Sequence, residues 1–308
     1  MKREIIVICG PTAVGKTKYA IETALHVGGE VVSCDSMQLY KYMDIGSAKP
    51  TPEERAQVKH HLVDEIDPGE PFSVARYQKL SKEAIEDIFA RGKTPVIAGG
   101  TGLYLNALLY DMDFSAPPRD EAYREQLYKD AEEFGPNYLH NKLQMVDPEA
   151  AERIHPNNIK KVVRALEAAE EGNKVKDFAT ELQPTKDYSY KLIGLTRDRV
   201  ELYDRINLRV DLLMKMGLLE EVKGLLDMGL TEGDISMKGI GYKEIIGYYN
   251  GEYDLDEAIR LVKKNSRRYA KRQLTWFKRY QDMQWFDIST YENDEACLKE
   301  IYTWLEKN

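Results

Sequence analysis

The chain has 308 residues, 43% hydrophobic and 31% charged, with 44 Lys and Arg against 52 Asp and Glu for a net charge of −8. That is the composition of a globular protein with material for one large domain or two modest ones, and its acidity argues against indiscriminate nucleic-acid coating. Three scattered cysteines, Cys9, Cys34 and Cys297, form no CxxC pair, which excludes a disulfide framework and a zinc site and suits a reducing compartment. No stretch approaches the roughly 18 apolar residues of a membrane span, and "MKREIIVICG" is too short for a signal peptide, so a cytoplasmic location is expected.

In chain order, "EIIVICG" reads as a buried parallel strand that runs into "GPTAVGKT" (Gly10–Thr17) and a helix, "KTKYAIETALHV". "GGEVVSCDS" is a second strand with Asp35 at its carboxyl end; "SVARYQKLSKEAIEDIFARGK" is an amphipathic helix; "TPVIAGGTGLYLNALL" is strand, glycine turn, helix. Strands alternating with helices predict an α/β fold, a parallel sheet flanked by helices, with ligands bound beyond the carboxyl ends of the strands. Gly10–Thr17, Asp35–Gln38 and Gly99–Thr101 all fall at such ends and are expected to converge. From "DFSAPPRD" (Asp113–Asp120) to about Lys186 the chain is charged and helical without a convincing strand, until "YKLIGLTRDR" restores one at Leu192–Leu195. The economical organisation is an α/β core over 1–115 and 189–308 interrupted by a helical insertion, 116–188. After Leu195 the sequence reads as mostly helical.

The Gly10–Thr17 loop carries the strongest chemistry. Its glycines let backbone N–H groups turn onto phosphate oxygens at the positive end of the following helix; Lys16 adds a full charge and the Thr17 hydroxyl is placed for Mg²⁺. Alone, the loop suggests a nucleotide triphosphatase or kinase. Asp35 suits either a carboxylate that supports the metal or a general base acting on a substrate beyond the phosphates.

The residues after Asp35 point elsewhere. "DSMQLYKYMDIGSAKP" (Asp35–Pro50), together with "GPTAVGKT", "HHLVDEIDPGEPFSVARY" and "AGGTGLY", resembles the tRNA dimethylallyltransferase family. The likeness continues through "DPEAAERIHPNNIKKVVRALE", "RINLRVDLLMKMGLLEEV", "KGIGYKE" and "RRYAKRQLTWF". It spans nearly the whole chain and implies a P-loop NTPase-like fold with an all-α insertion that contacts tRNA. The implied activity is transfer of a dimethylallyl (isopentenyl) group from dimethylallyl diphosphate to N6 of the adenosine 3′ of a tRNA anticodon. The implied cofactor is Mg²⁺; no membrane and no obligate protein partner are expected, and a monomer suffices. A plant-type relative acting on free adenine nucleotides is the nearest competitor, against which stand the insertion and the basic C-terminal stretch.

By the same resemblance Asp35 is the general base, Thr12 lies in the channel where the substrates meet, and Arg209 reaches the diphosphate that Gly10, Pro11, Thr12, Ala13, Val14, Gly15, Lys16 and Thr17 cradle. Ser36, Met37 and Gln38 lie beside the flipped adenine with Asp35, while Thr101, Arg124 and the basic segment Lys160, Lys161 and Arg164 match tRNA contacts. Lys160 and Arg164 are one helical turn apart. Lys263–Arg279 holds eight basic residues and no acidic one, an RNA-facing stripe against an acidic background. Within it Tyr269, Trp276 and Phe277 read as core. The His60–His61 pair matches no metal spacing, and His155 reads as a turn residue.

Overall fold

The computed structural model describes residues 3–112, 114, 120–172 and 183–308. Apolar runs build β1 (Glu4–Cys9), β2 (Glu30–Cys34) and β4 (Pro95–Gly99), with α1 (Lys16–His26), α2 (Pro52–Gln57), α3 (Val74–Ala90) and α4 (Gly102–Leu109) following in alternation. A two-residue strand, β3 (His60–His61), intervenes between α2 and α3. Polar side chains start the helices: Ser73 Oγ accepts the Arg76 amide at 3.2 Å at the head of α3, and Thr51 with Glu54 forms a capping box on α2.

After α4 come α5 (Glu121–Phe134), α6 (Pro136–Val146), α7 (Pro148–Arg153) and α8 (Ile159–Glu170), with no strand among their described residues. The chain then makes β5 (Ser189–Thr196), α9 (Arg199–Met216), α10 (Leu218–Asp227), α11 (Tyr242–Tyr249), the 23-residue α12 (Leu255–Phe277), β6 (Gln284–Asp287) and α13 (Asp294–Lys307).

The strands of the sheet are all parallel, in the order β3-β2-β4-β1-β5-β6. Both faces are covered, which is why the strands are almost continuously apolar. On one face Ile5, Val7, Val32 and Ile97 pack against α3, α4, α10 and α11; on the other Ile6, Ile8, Val96 and Ile193 pack against α1, α9 and α13. The α12 helix contributes to both, with Phe277 in the first core and Ala270 in the second.

Register brings the strand ends together. Cys9 of β1 is level with Gly99 of β4, and Gly99 is level with Cys34 of β2, so the three following loops begin side by side. At the opposite end of β2 the buried Glu30 carboxylate takes Arg91, Lys93 and His61 as partners, His61 at 2.7 Å, which accounts for the histidine pair structurally. His155 likewise serves its turn, its Nδ1 accepting the Asn157 amide at 3.2 Å.

The chain forms two compact units, 1–111 with 184–308 and 112–183. The helical unit has its own core of Leu127, Leu139, Leu143, Val162 and Leu166. Residues from Pro184 onward belong to the sheet unit: Pro184 bridges Tyr110, the Thr185 amide donates to the Leu109 carbonyl at 2.9 Å, and the Tyr188 hydroxyl donates to the Leu108 carbonyl at 2.9 Å. The second segment of the sheet unit runs from Pro184, with β5 itself starting at Ser189. Position 116, expected to open the insertion, lies outside the described residues. No helix among the described residues is long and apolar enough to cross a membrane.

Candidate functional site

The Gly10–Thr17 loop leaves β1 against its neighbour. Gly10 lies so close to β5 that an added Cβ would stand 2.5 Å from the Leu195 carbonyl oxygen. The loop ends at Gly15, whose φ of 113° suits only glycine and which starts α1 with no side-chain cap. First-turn amides have no intrahelical acceptors, so an uncapped helix start is a site for an anion.

The loop carbonyls are tied off. Lys16 Nζ donates to Pro11 O at 2.9 Å, Arg205 Nε to Ala13 O at 3.0 Å and Arg197 Nε to Val14 O at 3.1 Å. Gln273 of α12 staples the loop to its neighbour, its Oε1 accepting the Thr12 amide at 2.8 Å and its Nε2 donating to Gly100 O at 3.0 Å. With the carbonyls held, the amides of Gly15, Lys16 and Thr17 remain for a ligand.

A cavity of about 650 Å³ opens beside this loop. Thr12, Ala13, Gly15, Lys16 and Thr17 line it, and so do Asp35, Ser36, Met37, Gln38 and Arg209. Gly10, Pro11 and Val14 belong to the loop but are not among the residues lining the cavity. Asp35 Oδ1 accepts the Met37 amide at 2.9 Å, which aims the carboxylate from the end of β2. Thr101 acts one step back: its Oγ1 accepts the Ser36 amide at 3.2 Å.

Three charges meet here. Burial pushes the Lys16 ammonium down to about 8, with Asp35 opposing that shift and Arg209 adding to it. The Arg209 guanidinium is itself pushed down by burial, with Asp35 opposing. Two cations beside one carboxylate leave the site ready for a ligand of higher negative charge.

The Thr17 hydroxyl and the Asp35 carboxylate are both oxygen donors on the cavity wall, the hard set Mg²⁺ takes. No group of three or more His, Cys, Asp or Glu among the described residues could hold a metal. The Thr17 hydroxyl would thus supply only part of the oxygen ligand set of a Mg²⁺ ion.

The wall facing the loop is assembled from distant segments. Gln38 is fixed at both ends of its carboxamide, Oε1 accepting from Ser33 Oγ at 2.9 Å and Nε2 donating to Ala48 O at 3.3 Å. The loop that supplies Ala48 hangs on Glu221 of α10. That carboxylate accepts the amides of Asp44 at 2.7 Å, Ile45 at 2.6 Å and Gly46 at 2.9 Å, and the Tyr242 hydroxyl at 2.8 Å. Nearby, the Lys49 side chain is almost wholly buried and donates to Tyr40 O at 2.6 Å, Asp44 at 2.7 Å and Asp64.

A model described as IPP transferase matches residues 38–280. The chain belongs to the IPP transferase family. Relatives named tRNA dimethylallyltransferase include one from Alkaliphilus oremlandii (strain OhILAs), 52% identical over 296 residues and spanning 96% of this chain and 95% of the relative. Another, from Clostridioides difficile (strain 630), is 50% identical over 305 residues, spanning 99% and 98%. Among solved structures, a tRNA isopentenylpyrophosphate transferase from Bacillus halodurans superposes with a TM-score of 0.76 at 44% identity over 99% of this chain and 96% of that one. A eukaryotic dimethylallyltransferase acting on tRNA superposes with a TM-score of 0.83 at 29% identity, over 98% and 78%. The parallel sheet of this IPP transferase is accordingly a P-loop-like fold with an all-α unit inserted.

Arg124, Lys160, Lys161 and Arg164, singled out from sequence, lie in the helical unit. Arg124 is engaged there with Glu167, Nε to Oε1 2.7 Å. Lys160, Lys161 and Arg164 are exposed on α8, whose opposite face carries the core residues Val162, Val163 and Leu166.

The basic stretch is divided in its duties. Lys263 pairs with Asp211 at 2.6 Å and Arg267 with Asn207, both on α9, whereas Arg268, Lys271 and Arg272 are exposed, the Arg272 guanidinium lying 5.5 Å over the Tyr269 ring. Phe277 is core as expected and Trp276 packs half-buried over Gly102, but Tyr269 lines the cavity together with Gln273, Arg272 and Ser266. The helical period that marks Tyr269 as inward-facing is the same for a core and for a cavity wall. Gln273 and Glu221 escape a reading of the sequence because a lone polar residue on a helix signals nothing until its partners, far away in the chain, are in place.

Proposed function

We propose that this IPP transferase moves the dimethylallyl group of dimethylallyl diphosphate onto N6 of the adenosine 3′ of the anticodon (position 37) in tRNA, releasing diphosphate. The observation that carries the reading is the meeting of an anion cradle and the Asp35 carboxylate in one cavity large enough for two substrates' reacting ends. The amine of adenine is a poor nucleophile because its lone pair is delocalised into the ring. Asp35 takes its proton as the N–C bond forms. The C–O bond breaks on the other side, and its electron pair leaves with the diphosphate. Charge accumulates there, and the loop amides, Lys16 and Arg209 stabilise it in place. A Mg²⁺ ion on Thr17 would neutralise part of the same charge. Thr12, a residue of the cradle that lines the same cavity as Asp35, is where the two substrates would approach.

A base in a folded RNA loop must leave its stack to reach such a cavity. Ser36, Met37 and Gln38 line the wall that would receive it, and the outward-facing cations of α8 and α12 suit the RNA backbone. The work then belongs in the cytoplasm, where tRNA is.

The test is incubation with radiolabelled dimethylallyl diphosphate, Mg²⁺ and unmodified tRNA, followed by digestion. Label recovered in N6-isopentenyladenosine is the expected result. Label that stays in the diphosphate fraction, or phosphoryl transfer that requires ATP, would overturn the reading in favour of a kinase.

A further inference from the structure

Seven tyrosines are buried among the described residues: Tyr19, Tyr40, Tyr77, Tyr104, Tyr188, Tyr242 and Tyr280. Five engage their hydroxyls inside the protein, with Asp294, the Ser33 carbonyl, the Leu108 carbonyl, Glu221 and Asn106 respectively for Tyr19, Tyr77, Tyr188, Tyr242 and Tyr280. The hydroxyls of Tyr40 and Tyr104 make no hydrogen bond to a described residue, and these two line the cavity. Neither hydroxyl oxygen is among the buried polar atoms left without a partner, so both open to the cavity, where a ligand that displaces water can take them as hydrogen-bonding groups.

Tyr104 is the better placed. Its ring is locked, stacked on Tyr77 with centroids 4.0 Å apart and edge-on to Phe72 at 6.3 Å. It is 8% exposed, and that remainder is on the cavity side. Burial raises the pKa of both hydroxyls; the Asp35 carboxylate adds to the rise at Tyr104, whereas Arg76 and Glu70 act on Tyr40 in opposite directions. Tyr77 ties Tyr104 to the Gln38 wall: its hydroxyl donates to the Ser33 carbonyl at 3.1 Å, and the Ser33 side chain holds Gln38.

Which atom of the substrates could meet this hydroxyl follows from chemistry, and rests on the function proposed above. The dimethylallyl group has no hydrogen-bonding atom, and the diphosphate oxygens belong at the Gly10–Thr17 cradle. Of the three acceptor nitrogens of the adenine ring, N1 and N7 flank the amine that Asp35 deprotonates and N3 lies on the far edge. We propose that Tyr104 is a specificity-determining residue for the target base, its hydroxyl donating a hydrogen bond to one of these two ring nitrogens.

Tyr104→Phe keeps the stacked ring and removes only the donor, so its melting temperature should match wild type. Its kcat/KM for an anticodon stem-loop should fall about tenfold, with KM for dimethylallyl diphosphate unchanged. Stem-loops carrying 1-deazaadenosine or 7-deazaadenosine at the target position then identify the contact. With the analogue that lacks the contacted nitrogen, wild type and Tyr104→Phe should react equally well. Full persistence of the Tyr104→Phe loss with both analogues, or no loss with adenosine, would overturn this inference alone. A wild-type protein that moves no label to the adenosine stem-loop would overturn the proposed function, and this inference with it.

Discussion

The two walls of the cavity are built on opposite plans. The wall proposed for the diphosphate is one unbroken octapeptide, Gly10–Thr17, left-handed at Gly15 and also at Ala13 (φ 64°), whose carbonyls are tied off by three basic side chains, Lys16, Arg205 and Arg197. The opposite wall, from Ser36 to Lys49, takes left-handed backbone without glycine at Tyr42 (φ 64°) and Ala48 (φ 47°), as its neighbours Leu62 and Asp64 do at 61° and 60°. Such conformations cost on the order of 1 kcal/mol each and persist only where the surroundings impose them. Here the surroundings are Glu221, which collects three amides, and Lys49, which collects a carbonyl and two carboxylates. A wall that presents backbone amides to a generic group such as phosphate can be local. One that holds side chains at fixed angles, as the wall proposed for the base does, has to be braced from elsewhere.

Breaking each wall separately should give separate defects. The largest effect belongs to the group between them: Asp35→Ala should lower kcat by about 10³-fold while tRNA affinity, measured by filter binding, changes little. Turnover retained with binding lost would remove Asp35 from the general-base role. On the phosphate side, Lys16→Ala should reduce kcat/KM for dimethylallyl diphosphate by about 10²-fold and leave tRNA binding intact.

That wall should also respond to pH. The Lys16 ammonium of the free site loses its proton as pH rises through about 8, well below the ordinary lysine value, yet the diphosphate needs it charged. Affinity for dimethylallyl diphosphate, measured calorimetrically without tRNA, should therefore be constant below about pH 8 and fall by up to about tenfold per unit above it. A profile that stays flat well into the alkaline range, or one that Lys16→Ala still shows, would remove Lys16 as its source.

On the braced wall, Glu221→Ala orphans three amides and the buried Tyr242 hydroxyl. It should cost about 2 kcal/mol in stability and raise KM for tRNA more than for the diphosphate, with Glu221→Gln recovering most of both. Equal change in the two KM values would mean that the brace serves stability alone. Smallest per residue should be charge reversal at Lys160, Lys161 and Arg164, which lowers the slope of log affinity against log salt for tRNA by about 0.7–0.9 for each phosphate no longer neutralised. An unchanged slope would clear α8 of the RNA backbone.

This division of labour also governs what can be read before any coordinates. The Gly10–Thr17 loop and strands β1, β2, β4 and β5 are visible because each declares itself within a few residues, as a glycine spacing or a doubly covered apolar run. Edge strands give no such signal: β3 is two histidines and β6, "QWFD", is too short to show a period. Asp35, Thr12 and Arg209 take their roles through resemblance, and Arg209 on its own would pass for a surface arginine on a helix. Tyr104 sits in a readable turn-helix segment, yet its unengaged hydroxyl emerges only when the other buried tyrosines are seen to be paired. Glu221 reads as an ordinary acidic residue in "LLEEV", for the amides it holds lie 175 to 177 positions earlier.

The seam at Leu108–Tyr110 and Pro184–Tyr188 has a consequence for how such a chain can change over generations. Outgoing and returning segments of the excursion are pinned to one another by backbone, so nothing in the sheet depends on how many residues travel between them. The entropy of closing that excursion grows only with the logarithm of its length. The 112–183 unit can therefore lengthen, shorten or be exchanged for another without disturbing the register that sets Cys9, Cys34 and Gly99 level.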